Sequence, residues 1–141
     1  MNDITTTCSN IFVGSDSHNW DKVKNSFSDE VWLDYSSFTG EPPATIKSTE
    51  IIKAWSDFLP RFKFTMHYLS NFEVDVKDGK AFCSAYGHAI HHSPEARGGD
   101  LFEVYGTYNF ELQKENDKWA VTSMTYNHKY SAGNLELPAL V

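Results

Sequence analysis

The stretch Phe64-Thr65-Met66-His67-Tyr68-Leu69-Ser70-Asn71-Phe72-Glu73-Val74-Asp75-Val76-Lys77 decides the fold. It alternates as a strand does, with successive side chains on opposite faces. The parity changes part-way. His67 and Leu69 share one face, whereas Phe72, Val74 and Val76 share the other. A bulge near Ser70-Asn71 reconciles the two and bends the strand. Asp78-Gly79 then signals a hairpin turn. Long runs follow from Lys80 to His92, Leu101 to Lys114 and Lys118 to Tyr130. They are separated by the Pro- and Gly-containing loop Ser93 to Asp100 and the turn Glu115 to Asp117. Strands of about a dozen residues exceed the usual five or six and normally curve around something.

Upstream, the pattern is helical. Ile4, Cys8, Ile11 and Phe12 form an amphipathic stripe that Asp3 can cap and Gly14 can end. Asn19 can cap a second helix carrying Trp20, Val23 and Phe27. Glu30 to Tyr35 reads as a short strand, and Thr39 to Thr45 as a loop. Ser48 can cap a third helix, with Ile51, Ile52, Trp55, Phe58 and Leu59 on one face and Pro60 as its stop. Three N-terminal helices followed by a meander of antiparallel strands predict a single α+β domain over residues 1–141. A surface tail is expected from about residue 131.

Composition bounds the function. The chain has 141 residues, 40% hydrophobic and 15% aromatic, with a net charge of −7. It is globular in character, and it lacks the basic face that nucleic acid or an anionic membrane would need. Cys8 and Cys83 are far apart in sequence and make neither a disulfide framework nor a zinc pattern. Met1 to Thr7 has no basic residue and no apolar core, so no signal peptide is expected and a cytoplasmic location is. No nucleotide-binding, nucleophile-elbow or H-E-x-x-H motif is present.

The candidate residues each have a bland reading. For His67 it is a buried imidazole satisfied by a carbonyl, the commoner case when residues alone are considered. For Asp16, in Ser15-Asp16-Ser17, it is a helix cap or turn. His91 points opposite to His88 and His92 along its strand, which rules out a three-histidine metal site there. Its face carries the small residues Cys83, Ala85, Gly87 and Ala89 and reads as a cavity wall. The other face, with Phe82, Tyr86, Ile90, His88 and His92, suits a subunit interface and predicts a homodimer or homotrimer. Tyr35 is core with a wet tip, or a substrate donor. Asn109, between Tyr108 and Phe110, lies on an exposed face or bonds a ligand. Trp55, Phe58 and Phe62 are mainly core, and Trp55 is the one taken to touch the ligand.

Several pieces together resemble a known family. They are Asp16-Ser17-His18-Asn19-Trp20-Asp21-Lys22-Val23, Leu33-Asp34-Tyr35-Ser36-Ser37-Phe38, Thr65-Met66-His67, the strand bearing His91, and Tyr108-Asn109. In order and spacing the chain resembles the SnoaL-like branch of the nuclear transport factor 2-like superfamily, and within it the scytalone dehydratases. The resemblance implies a cone, with three helices packed in a strongly curved antiparallel sheet and a small, mostly apolar ligand at the open end. It implies that Asp16 and His67 do acid–base work, aided by His91, Tyr35 and Asn109, with no metal or organic cofactor. The family's further tyrosine before the aspartate is Ser15 here, and the long C-terminal segment that covers the dehydratase pocket is not expected.

The expected function is therefore a cofactor-independent dehydratase, isomerase or cyclase acting on an aromatic or polyketide-like molecule. His67 would take a proton next to a carbonyl, Tyr35 would polarise that carbonyl, and His91 would deliver a proton to the departing oxygen. The alternative is a non-catalytic ligand-binding or assembly module on the same fold.

Overall fold

A computed structural model describes residues 2–141. Helix α1 (Asn2–Asp16) carries Asp3 in its first turn and buries Ile4, Cys8, Ile11 and Phe12, the stripe its spacing predicts. It does not stop at Gly14. A Cβ there would lie 2.7 Å from Val23 Cγ2 and 2.9 Å from the Asn19 carbonyl oxygen. Glycine instead lets α2 (Trp20–Ser26) cross closely, and His18 takes the left-handed turn conformation at φ 57°. Asn19 caps α2, its Oδ1 accepting the Lys22 N–H at 3.2 Å.

Strand β1 (Phe27–Asp34) leads to a one-turn helix α3 (Ser36–Thr39) and a short strand β2 (Ala44–Lys47), neither of which the loop reading anticipates. Helix α4 (Ser48–Phe58) buries Ile51 and turns Ile52 and Trp55 toward the core. Ser48 is its first residue, not its side-chain cap. A 3₁₀ turn with Pro60 closes it.

Four long strands follow: β3 (Phe64–Lys77), β4 (Lys80–His92), β5 (Leu101–Glu115) and β6 (Lys118–Gly133). The sheet order is β2-β1-β6-β5-β4-β3, antiparallel throughout except that β1 runs parallel to β6. Tight two-residue turns join β3 to β4 at Asp78-Gly79 and β5 to β6 at Asn116-Asp117, all four residues at positive φ. The register of β3 on β4 shifts between Ser70 and Glu73, and Asn71 has φ 55°. The bulge lies where the parity switch requires it. Above it His67 faces inward, and below it Phe72 and Val74 do.

The sheet curls, without closing, around α1. Phe110, Leu112, Val121 and Met124 fill the narrow end together with the α1 stripe. Cys8 and Cys83, distant in sequence, meet there as free thiols. Hydrogen bonding with Cys83 and then burial push the Cys8 thiol up. At the wide end, a second cluster of Phe62, Phe102 and Leu137 includes α5 (Leu137–Leu140). Residues past 131 are thus not a plain tail: β6 continues to Gly133, and Leu137 is buried in the cluster with Phe62 and Phe102. Among the described residues no helix is long and apolar enough to cross a membrane.

Candidate active site

The open end of the cone holds a cavity of about 360 Å³. Its wall is aromatic, with Phe12, Trp55, Phe62, Tyr35, Tyr108 and Tyr126 among the lining side chains and no Lys or Arg among those described. Such a wall favours a neutral, flat molecule and strengthens any charge interaction inside by excluding water.

Asp16 and His67 meet at this wall. Asp16 ends α1, and His67 lies on the inward face of β3 above the bulge. The carboxylate holds the strand in three places. Oδ2 accepts the His67 backbone N–H at 2.8 Å, and Oδ1 accepts the Thr65 hydroxyl at 2.9 Å and His67 Nδ1–H at 2.7 Å. A carboxylate only accepts, so the network assigns a ring proton to Nδ1, and in the neutral imidazole the lone pair is on Nε2. No protein group among those described bonds Nε2, and His67 lines the cavity. Phe12 stacks on the imidazole at 5.1 Å and fixes its plane. The result is an oriented imidazole facing an apolar space, an arrangement that general-base chemistry can use.

His91 is beside it, its ring centroid 5.9 Å from that of His67. Its Nδ1 lies 3.1 Å from the Phe102 carbonyl oxygen, which can only accept. Burial, with the His67 ring adding to it, lowers its pKa to about 4. At neutral pH His91 therefore presents a lone pair at Nε2. A proton-donor role at Nε2 needs an imidazolium, which burial of the ring disfavours.

Tyr35 and Trp55 also line the cavity. Tyr35 precedes α3, and burial raises its phenol pKa, with the neighbouring Tyr108 hydroxyl working the other way. Asn109 does not reach the site. Tyr108 and Phe110 point inward on β5, so alternation sends Asn109 outward, where it is exposed and accepts an Asn127 Nδ2–H at 2.7 Å. The exposed-face reading holds for it. The residue that does reach the cavity is Tyr108, across a gap at Gly87 where a Cβ would lie 2.4 Å from its Cε2. The parity of Phe102, Tyr108, Phe110 and Leu112 carries that signal in the sequence. Tyr126 and Phe38 also line the cavity; Tyr126 shares the strand parity of the buried Met124, whereas Phe38 carries no such pattern. Ser15 lines it too, with its hydroxyl donated to the Ile11 carbonyl at 2.7 Å. His88 and His92 are on the outer face, bonded to Glu103 and Asp100. Among the described residues no cluster of three or more His, Cys, Asp and Glu is placed to hold a metal.

The model of the SnoaL-like domain family matches residues 1–125. The chain belongs to the SnoaL-like domain family. No curated protein matches it in sequence. Solved structures of similar shape include the Kfla4162 protein of Kribbella flavida, at TM-score 0.91 and 23% identity, covering 97% of this chain and 95% of that one. A candidate scytalone dehydratase from Novosphingobium aromaticivorans gives TM-score 0.78 at 18% identity, over 94% and 86% of the two chains. The hexachlorocyclohexane dehydrochlorinase LinA-type3 of Novosphingobium barchaimii gives 0.75 at 15% identity, over 94% and 88%. At these identities the likeness establishes the fold of this SnoaL-like protein, the α+β cone.

Proposed function

We propose that this protein is a cofactor-independent acid–base enzyme of the dehydratase, isomerase or cyclase type, acting on a small neutral aromatic or polyketide-like molecule. The observation that carries the reading is the 2.7 Å contact of Asp16 with His67 Nδ1, which leaves Nε2 of His67 facing the aromatic cavity. His67 takes a proton from the carbon next to a carbonyl, and Asp16 stabilises the imidazolium. Phenols at Tyr35, Tyr108 and Tyr126 are available to the oxygen of the developing enolate. In a dehydration, the His67 imidazolium returns its proton to the departing hydroxyl, which leaves as water, while His91 accepts a hydrogen bond from that hydroxyl beforehand. The structural relatives named as a dehydratase and a dehydrochlorinase are proteins of eliminating type, which accords with the reading.

The test uses 2-tetralone, a neutral bicyclic ketone with acidic α-protons. The protein should accelerate exchange of those protons with D₂O, read by NMR, and His67→Ala should remove the acceleration. Saturable binding of 2-tetralone without accelerated exchange would instead support a ligand-binding module. Ser15 favours that second reading, because its hydroxyl is held by Ile11 and offers the cavity no phenol where the dehydratases have one.

Self-association belongs to the same proposal. Phe64, Met66, Tyr68, Phe82 and Tyr86 are exposed together on the outer face of β3 and β4. A contiguous apolar face of that kind is what a homodimer or homotrimer covers.

A further inference from the structure

The cavity wall contains a second phenol–histidine pair that the Asp16–His67 chemistry does not use. The Tyr126 hydroxyl lies 3.0 Å from Nδ1 of His128. Nε2 of the same ring lies 3.0 Å from Ser131 Oγ. The three side chains run outward from the cavity: Tyr126 is 3% exposed, whereas His128 and Ser131 are half-buried.

The fold builds this chain deliberately from an irregularity. Strand parity puts positions 126 and 128 on one face and would put 131 on the other. The register of β5 on β6 pairs Tyr105 with Tyr130 but Gly106 with His128, so Lys129 is the extra residue of a bulge. The bulge returns Ser131 to the inner face. Gly106 supplies the room, since a Cβ there would lie 2.6 Å from Tyr126 Cε1 and 2.3 Å from the Asn127 carbonyl oxygen. Helix α3 pins the segment. Ser37 Oγ donates to the Tyr126 carbonyl at 3.0 Å and accepts the His128 N–H at 2.9 Å, and Phe38 covers the His128 ring at 4.7 Å.

We infer that Tyr126 binds the substrate's carbonyl oxygen and that His128 and Ser131 are positioning residues that aim its hydroxyl. The inference rests on the acid–base reading above. The Ser131 hydroxyl donates to Nε2, Nδ1–H donates to the phenol oxygen, and the phenol hydrogen is left for the cavity. Each bond polarises the next. The reversed arrangement would turn the phenol hydrogen back onto His128 and give a carbonyl no donor. Charge developing on an enolate oxygen selects the first arrangement. Burial also raises the Tyr126 phenol pKa to about 12, so it keeps its proton at neutral pH.

Isotope-edited infrared spectra of 2-tetralone bound to the intact chain test this. The carbonyl band should move to lower frequency than in an apolar solvent. Tyr126→Phe should abolish the movement while 2-tetralone still binds. His128→Ala and Ser131→Ala should leave a smaller, broader movement without loss of fold. In ¹⁵N spectra of the ligand-bound protein, His128 should carry its proton on Nδ1. If Tyr35→Phe and not Tyr126→Phe abolishes the movement, the assignment to Tyr126 is overturned. If His128 carries its proton on Nε2, its positioning role is overturned. Bound 2-tetralone with an unshifted band overturns this inference alone, whereas failure of the ketone to bind at all overturns the ligand class and the acid–base reading with it.

Discussion

Replacing Asp16 by Asn exchanges one oxygen for NH₂, and the structure says which one. In the wild type, Oδ2 accepts a backbone N–H from His67 at 2.8 Å, while Oδ1 accepts Nδ1–H of His67 at 2.7 Å and the Thr65 hydroxyl at 2.9 Å. A backbone N–H can only donate. The amide oxygen of Asp16→Asn must therefore occupy the Oδ2 place, and its NH₂ must face Nδ1 and Thr65. Thr65 adapts by rotating its hydroxyl. His67 adapts only by moving its proton from Nδ1 to Nε2. The cavity then meets an N–H where it had a lone pair. Weakening these charge-assisted bonds costs about 1–3 kcal/mol, which a domain with a stability of about 5–15 kcal/mol survives. Loss of a general base costs about 10²–10⁴ in rate. The assay is twofold: ¹⁵N spectra to read the His67 tautomer, and α-proton exchange of 2-tetralone to read the rate. The expected result is a folded variant with Nε2 protonated and exchange slowed about 10²–10⁴-fold. A His67 that keeps Nδ1–H in the variant, or one that switches with no loss of exchange, would refute the argument.

Further predictions concern His91, Tyr108 with Asn109, and the outer face. The His91 pKa is depressed in the fold, from 6.5 to about 4, so its contribution to stability is complete above pH 6.5 and is lost as pH falls toward 4. The linkage is worth about 3 kcal/mol, and urea denaturation at pH 7.5 and pH 4.5 should show His91→Asn losing less on acidification than the wild type. Asn109→Ala should leave exchange unchanged, because its amide bonds Asn127 on the outer surface, whereas Tyr108→Phe should slow it; equal effects would contradict the placement of the two side chains. Tyr86→Glu, at a position 60% exposed, should shift sedimentation from oligomer to monomer without loss of fold. A wild type that already sediments as a monomer would rule out self-association.

Much of this site was legible because its parts report on one another. The bend in β3 follows from the change of parity between Leu69 and Phe72, and it is what turns His67 inward. Asp16 is ordinary as a helix-end residue; only the resemblance joins it to His67, since nothing local shows that α1 ends against β3. Asn109 shows the reverse: the resemblance implies a site role for it, whereas its side chain lies on the exposed face beside Asn127. The alternation of Phe102, Tyr108, Phe110 and Leu112 puts Tyr108, not Asn109, on the inward face. Parity along β6 puts Tyr126 and His128 on one face, but Ser131 joins them only through the bulge at Lys129, and no change in apolar parity marks that bulge as one marks Ser70-Asn71. The short elements α3 and β2 flank Gly40, Pro42 and Pro43 and overlap only the ends of the Thr39 to Thr45 loop reading, yet α3 carries Phe38 to the cavity. Such one-turn elements are held by contacts like Ser37 to β6, not by local propensity.

The central claim is that His67 Nε2 is the base of an acid–base site. Crystals soaked with 2-tetralone test it most directly. The account predicts the ketone in the aromatic cavity, with an α-carbon about 3–3.5 Å from His67 Nε2 and the carbonyl oxygen directed at the tyrosines. A ketone bound with its α-carbons remote from His67, or with its oxygen against Nε2, would contradict it.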